Sequence, residues 1–144
     1  MTDLRTLLTE GLRPGVYRWP SKAAVDGVRR DATAAGFGFV LLDTAEIHDK
    51  TGFLDLCATA FDLPRWFGRN WDALADSLSD RSTGAPEVVL WTGLPNLLEH
   101  DHDTVDVALQ IFAEDTTNSG QLRVLIREQA GARTPDLLSS LPVL

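Results

Sequence analysis

Three groups of side chains in this sequence have the types and spacing to do chemistry. Asp72, Asp76 and Asp80 recur every four residues, which stacks them on one face of a helix. Neighbouring carboxyls can work as an acid–base pair, or stand as a fixed negative array facing a basic partner. The acid–base use is weak without a second cluster of His, Lys or metal ligands to set the two carboxyls to opposite roles. The second group is Glu99-His100-Asp101-His102-Asp103. Histidines two apart can bind zinc from a strand, but this stretch is polar and runs into a helix, where Asp103 is more simply an N-cap. No metal and no cofactor is expected. The third group is Cys57 with His48, a thiol and a base. Cys57 falls on the apolar stripe of its helix, which makes it a buried, inert thiol. Gly36-Phe37-Gly38 precedes a strand and lacks a third glycine, so it is no dinucleotide fingerprint.

The carboxylates of the first group belong to residues 61–80, FDLPRWFGRNWDALADSLSD, a loop feeding a helix. Pro64 blocks continuation of the preceding helix. Gly68 permits a backbone turn that other residues resist. Asn70 is a good N-cap, able to accept from the free amides of the first turn. Trp71, Leu74, Ala75 and Leu78 repeat at three and four and predict one buried face. Asp72, in the first turn, is explained by the helix dipole. Asp76 is not: it is a poor helix former in mid-helix with a like charge four residues away, and a feature that costs local stability points to function. Trp66 and Phe67 sit on the loop, where large aromatics often anchor interfaces. They serve equally well to cover the core.

The rest of the chain must position that segment. With 144 residues and 44% hydrophobic side chains it is an ordinary globular length and composition, fit for one domain. A single cysteine builds no disulfide framework, which fits a reducing compartment. The first thirteen residues lack a signal-peptide pattern and no apolar run reaches membrane-spanning length, so a cytoplasmic protein is expected. Thirteen basic and twenty-one acidic residues give a net charge of −8, divided as +2 over residues 1–36 and −10 over residues 37–144. That field repels phosphate, which argues against direct nucleic-acid binding, and attracts a basic partner.

Residues 1–13 predict a short amphipathic helix. A strand follows over 16–19, then a helix capped by Ser21 and ended by Gly36. The apolar run 37–42 is a strand fit for the middle of a parallel sheet, and strand–helix–strand is a right-handed parallel unit. Helices are expected over 51–61 and 70–79, a loop over 82–86, a strand over 88–91, a turn or short helix over 94–98, a helix over 104–115 and a last strand over 122–126. The expected fold is α/β: a small, mostly parallel sheet packed with helices, with the N-terminal strand at one edge. The chain divides into an N-terminal extension (1–36) packed on the core, a central domain (37–127) and a draped or frayed tail (128–144).

Residues 66–76, Trp66-Phe67-Gly68-Arg69-Asn70-Trp71-Asp72-Ala73-Leu74-Ala75-Asp76, resemble the signature of the barstar family, inhibitors of barnase-type ribonucleases. Members carry aromatic-aromatic-Gly-x-Asn, then a helix reading x-Asp-Ala-Leu-x-Asp, and the order of elements over 37–127 also agrees. The resemblance implies a protein that is not an enzyme. Its partner is a basic ribonuclease or a nuclease toxin domain, whose active site the acidic helix and loop would plug, carboxylates taking the place of substrate phosphates. Carried over residue by residue, the partner-binding set is Trp66, Gly68, Asn70, Asp72, Asp76, Asp80 and Glu114, with Asp76 the central acid. The family prototype has tryptophans at the positions of Ala75 and Arg81 and an acid at Asn118. These departures point away from barnase itself and toward another basic nuclease. Two alternatives from other classes stand beside this one: a small hydrolase using Asp72 and Asp76 or His100 and His102, and a regulatory module in which residues 1–36 bind a different partner.

Overall fold

The apolar runs of the sequence become four short strands, β1 (Gly15–Trp19), β2 (Gly38–Asp43), β3 (Glu87–Thr92) and β4 (Leu122–Arg127). In the computed structural model, which describes residues 3–81, 84–118, 120–128 and 136–144, they form one sheet in the order β1-β4-β3-β2. Every pairing is parallel. Val89 stands between Val40 on β2 and Val124 on β4, and Leu90 between Leu41 and Leu125. Alternate residues of a strand point to opposite faces, so the unbroken burial of Val88, Val89, Leu90 and Trp91 requires cover on both sides.

Helices supply that cover. Among the described residues they are α1 (Leu4–Thr9), α2 (Val25–Ala34), α3 (Lys50–Ala60), α4 (Trp71–Arg81), α5 (Leu94–His100) and α6 (His102–Thr117). On one face Val88, Leu90 and Leu125 pack with Trp19 and with Leu4, Leu8, Val28 and Ala32 of α1 and α2. On the other, Val89, Trp91, Val124 and Ile126 pack with side chains of α3, α4, α5 and α6. The sheet is thus the middle of three layers. The N-terminal strand lies at the edge beside β4, and α1 and α2 form the whole of one outer layer. Trp91 anchors the larger core: its ring packs near Phe53 and Phe112, and its indole N–H donates to the buried Thr44 hydroxyl at 3.0 Å. That bond satisfies a polar atom that would otherwise be buried without a partner.

Several local expectations are corrected. Ser21 does not cap α2; the N-cap is Ala24, which makes no side-chain cap bond, and the Ser21 hydroxyl accepts instead from Ala23 N at 3.1 Å. The stretch 94–98 takes the short-helix form, extended by two residues to His100. Asp103 is not the cap of α6. Asp101 is, its carboxylate accepting from Thr104 N at 3.1 Å, and it also closes α5. One residue between two helices can serve both ends. Of the two forms expected for the tail, draped or frayed, its described part 136–144 is draped. Leu138 is buried in a single turn of 3-10 helix, Asp136–Leu138, and Val143 bridges to Arg18 on the outer edge of β1. Residues 129–135 of that tail, residues 82–83 of the expected loop and residues 1–2 of the first helix lie outside the described residues.

Candidate protein-binding face

The loop between α3 and α4 is built from a few local bonds. Asp62, at φ +52°, turns the chain out of α3. Phe67 N donates to Pro64 O at 2.9 Å, closing a tight turn around residues 65 and 66. Two adjacent aromatics on such a turn cannot share one direction. Phe67 points into the core and is 6% exposed; Trp66 points out and is 84% exposed. The plain reading of both rings as core cover therefore holds for Phe67 alone.

The left-handed residue of the loop is Arg69, at φ +47°, and not Gly68. Arg69 is held there by its guanidinium, which pairs with the Asp55 carboxylate of α3 at 2.7 Å. Gly68 is needed for room: a Cβ would stand 3.0 Å from the Asn70 side-chain nitrogen. That nitrogen donates to Gly68 O at 3.2 Å while Asn70 Oδ1 accepts from Ala73 N at 2.8 Å. Asn70 therefore ties the loop to the first turn of α4 and caps it.

Along α4, Leu74 and Leu78 are buried and Trp71 is half-buried against Phe53. Ala75, expected on that face, is exposed instead. Asp72, Asp76 and Asp80 are exposed. Among the described residues, Asp72 and Asp76 make no side-chain hydrogen bond or ion pair, and Asp80 is engaged with its surroundings. Asp76 thus has no bond within the fold to offset its cost to the helix.

The second wall of the face is α6. Glu114 is exposed there, and with Ala75, Ile111, Asp115 and Asn118 it lines a cleft of about 140 Å³ between α4 and α6. Glu114 and the acidic helix therefore share one side of the molecule. Asp115 contributes a strained feature to the cleft: its Oδ2 is buried without a hydrogen-bond partner, and burial pushes its carboxyl above the usual range. A raised folded value means that the ionised form is penalised in the fold. The penalty is full above that value and fades as acid protonates the group. Asp115→Asn is accordingly expected to raise stability by about 1 kcal/mol at pH 7. The gain should shrink as acid protonates the group, in urea unfolding measured across pH.

The remaining candidates separate. Cys57 is buried and desolvation pushes its thiol far up, so it is no nucleophile at neutral pH. His48 is not beside it in a catalytic pair; its ring stands against that of His100. Among the described residues, no three His, Cys, Asp or Glu side chains converge on a common point fit for a metal. No described helix is long and apolar enough to cross a membrane.

With loop, helix and opposing wall in place, comparison with known families is decisive. The family model described as Barstar (barnase inhibitor) matches residues 37–128. The chain belongs to the barstar family. The matched region runs from β2 to the end of β4 and contains all of α3 to α6, while β1, α1 and α2 precede it. No curated protein matches the chain significantly. Arg81, at the end of α4, is engaged within the fold. Its Nε and Nη2 bond the Glu87 carboxylate at 2.9 and 2.5 Å, its Nη1 donates to Phe61 O at 2.7 Å, and the guanidinium carbon lies 5.2 Å from the centre of the Phe61 ring. In this barstar-family chain these bonds fasten the end of α4 to the end of α3 and to β3.

Proposed function

We propose that the chain is a proteinaceous inhibitor of a basic ribonuclease, an antitoxin-like or immunity protein that acts by occlusion and performs no catalysis. The carrying observation is the pair Asp72 and Asp76, solvent-facing and without partners inside the fold, on a helix whose capping loop holds Trp66 out in water. Two carboxylates and an exposed indole in a field of −10 over residues 37–144 are what a cationic, phosphate-binding cleft would receive. Glu114 extends the negative face from α6, while Gly68 and Asn70 fix the loop. Asp80 lies one turn beyond Asp76 and extends the stripe. Ala75 leaves a cleft where the prototype has a tryptophan, and Arg81 is internally engaged, so the target is a basic nuclease other than barnase or a toxin nuclease domain. The single cysteine, reduced and buried, fits work in the cytoplasm.

The experiment is capture on the immobilised chain from native lysate and secretome, at low salt, beside an Asp72→Asn/Asp76→Asn control. A basic nuclease retained by the parent and not by the control supports the reading; a partner retained equally by both refutes it. Trp66→Ala is expected to weaken binding of that nuclease by about 1–2 kcal/mol, with little change in the unfolding midpoint, because the ring contributes almost nothing to the core. Surface plasmon resonance and a thermal melt read the two quantities.

A further inference from the structure

A second arrangement lies outside the acidic face. His48 sits in the connection from β2 to α3, and His100 is the last residue of α5. Their ring centres are 4.3 Å apart with planes tilted by 51°. One residue, Asn96, positions both. Its side-chain nitrogen donates to Thr44 O and Ile47 O, each at 2.9 Å, and fastens the connection that carries His48. Its backbone carbonyl meets His100 Nδ1 at 2.8 Å. A carbonyl only accepts, so Nδ1 carries a proton, and in the neutral ring the lone pair is then on Nε2. This is the tautomer and bracing of a metal-ligating histidine. Thr44 N and Thr44 Oγ1 both donate to Thr92 O, which ties the same connection to the end of β3.

We propose that His48 and His100 form a two-imidazole site for a borderline transition-metal ion, Zn²⁺ or Cu²⁺. Two imidazoles bound to one ion at about 2 Å each have ring centres roughly 4.5 Å apart at a right angle and roughly 5.2 Å apart at a tetrahedral angle, so the pair at 4.3 Å reaches either by opening its rings by under about 1 Å. Both rings are exposed, so an ion reaches them without opening the fold. Asp49 and Asp101 cap helices, and among the described residues no third His, Cys, Asp or Glu side chain converges with the two rings. Water therefore completes the coordination, which makes the site open and exchangeable rather than structural. Imidazole ligation selects copper and zinc over magnesium and calcium, with copper bound more tightly.

The test uses the full chain stripped of metal. Calorimetric titration with Zn²⁺ is expected to give one equivalent, and Cu²⁺ spectra a coupling to two nitrogens, with no response to Mg²⁺. His48→Ala and His100→Ala should each lower Zn²⁺ affinity about tenfold or more, since even loss of an outer-shell bond costs that much. His102→Ala, in the first position of α6 and outside the ring pair, should leave it unchanged. Far-ultraviolet dichroism of each variant confirms that the fold is kept. Affinity that survives both His48→Ala and His100→Ala, affinity lost equally in His102→Ala, or no binding by the parent at millimolar Zn²⁺ overturns the proposal.

Discussion

Asp76→Ala is expected to weaken inhibition of the captured ribonuclease by about 2–5 kcal/mol, or roughly 30- to several thousand-fold, mostly through faster dissociation. That range is for truncating one member of a buried, hydrogen-bonded charge pair, and the family's own prototype complex is among the systems that define it. In the free protein Asp76 is exposed and has no bond to lose. Its removal also relieves a like-charge contact with Asp72 one turn away, so the unfolding midpoint should hold or rise slightly. Asp101→Ala should behave in the opposite way. Asp101 caps α6, and its loss is expected to cost about 1 kcal/mol of stability while leaving inhibition intact. The crossed pattern separates a partner-facing carboxylate from a structural one. High salt should slow association of the parent, because exposed charges steer the encounter and salt screens them.

Arg81→Ala is expected to lower stability by about 2–3 kcal/mol and to leave the affinity of the folded protein for its nuclease unchanged. The substitution strips two bonds from the Glu87 carboxylate, which is mostly buried, and one from the Phe61 carbonyl. It also removes the stacking over the Phe61 ring. Leaving Glu87 charged and unpaired accounts for most of the cost, so Arg81→Ala with Glu87→Gln together should cost less than the sum of the single changes. Arg81→Lys should recover only part of the loss, since an ammonium cannot make the two-pronged contact with a carboxylate. Urea unfolding midpoints report these differences. A normal midpoint with weakened nuclease binding would return Arg81 to the interface.

Much of the architecture was legible because burial leaves a period in the sequence. The run at 88–91 is apolar on both faces and becomes the covered inner strand β3, whereas the run at 37–42, with the same pattern, lies at the sheet edge beside β3 and not in the middle. What covers them was not legible. Nothing in the spacing of Leu4, Leu8, Val28 and Ala32 says that α1 and α2 take the face opposite to α3, α4, α5 and α6. The acidic stripe was readable from its four-residue spacing, and Asn70 from its capping chemistry. The division of labour between Trp66 and Phe67 was not, because one turn decides which ring faces inward. Arg69 rather than Gly68 takes the left-handed conformation because an ion pair to Asp55, fourteen residues earlier, holds it. The contact of His48 with His100 likewise arises only when the β2 connection closes on α5.

The central claim meets its most direct measurement in RNA cleavage by the captured nuclease, titrated with the purified chain. A linear fall to zero activity at one inhibitor per enzyme is expected, with association slowed by a competing phosphate-bearing substrate analogue. Undiminished cleavage at saturating inhibitor, with the two proteins still bound to each other, would contradict it.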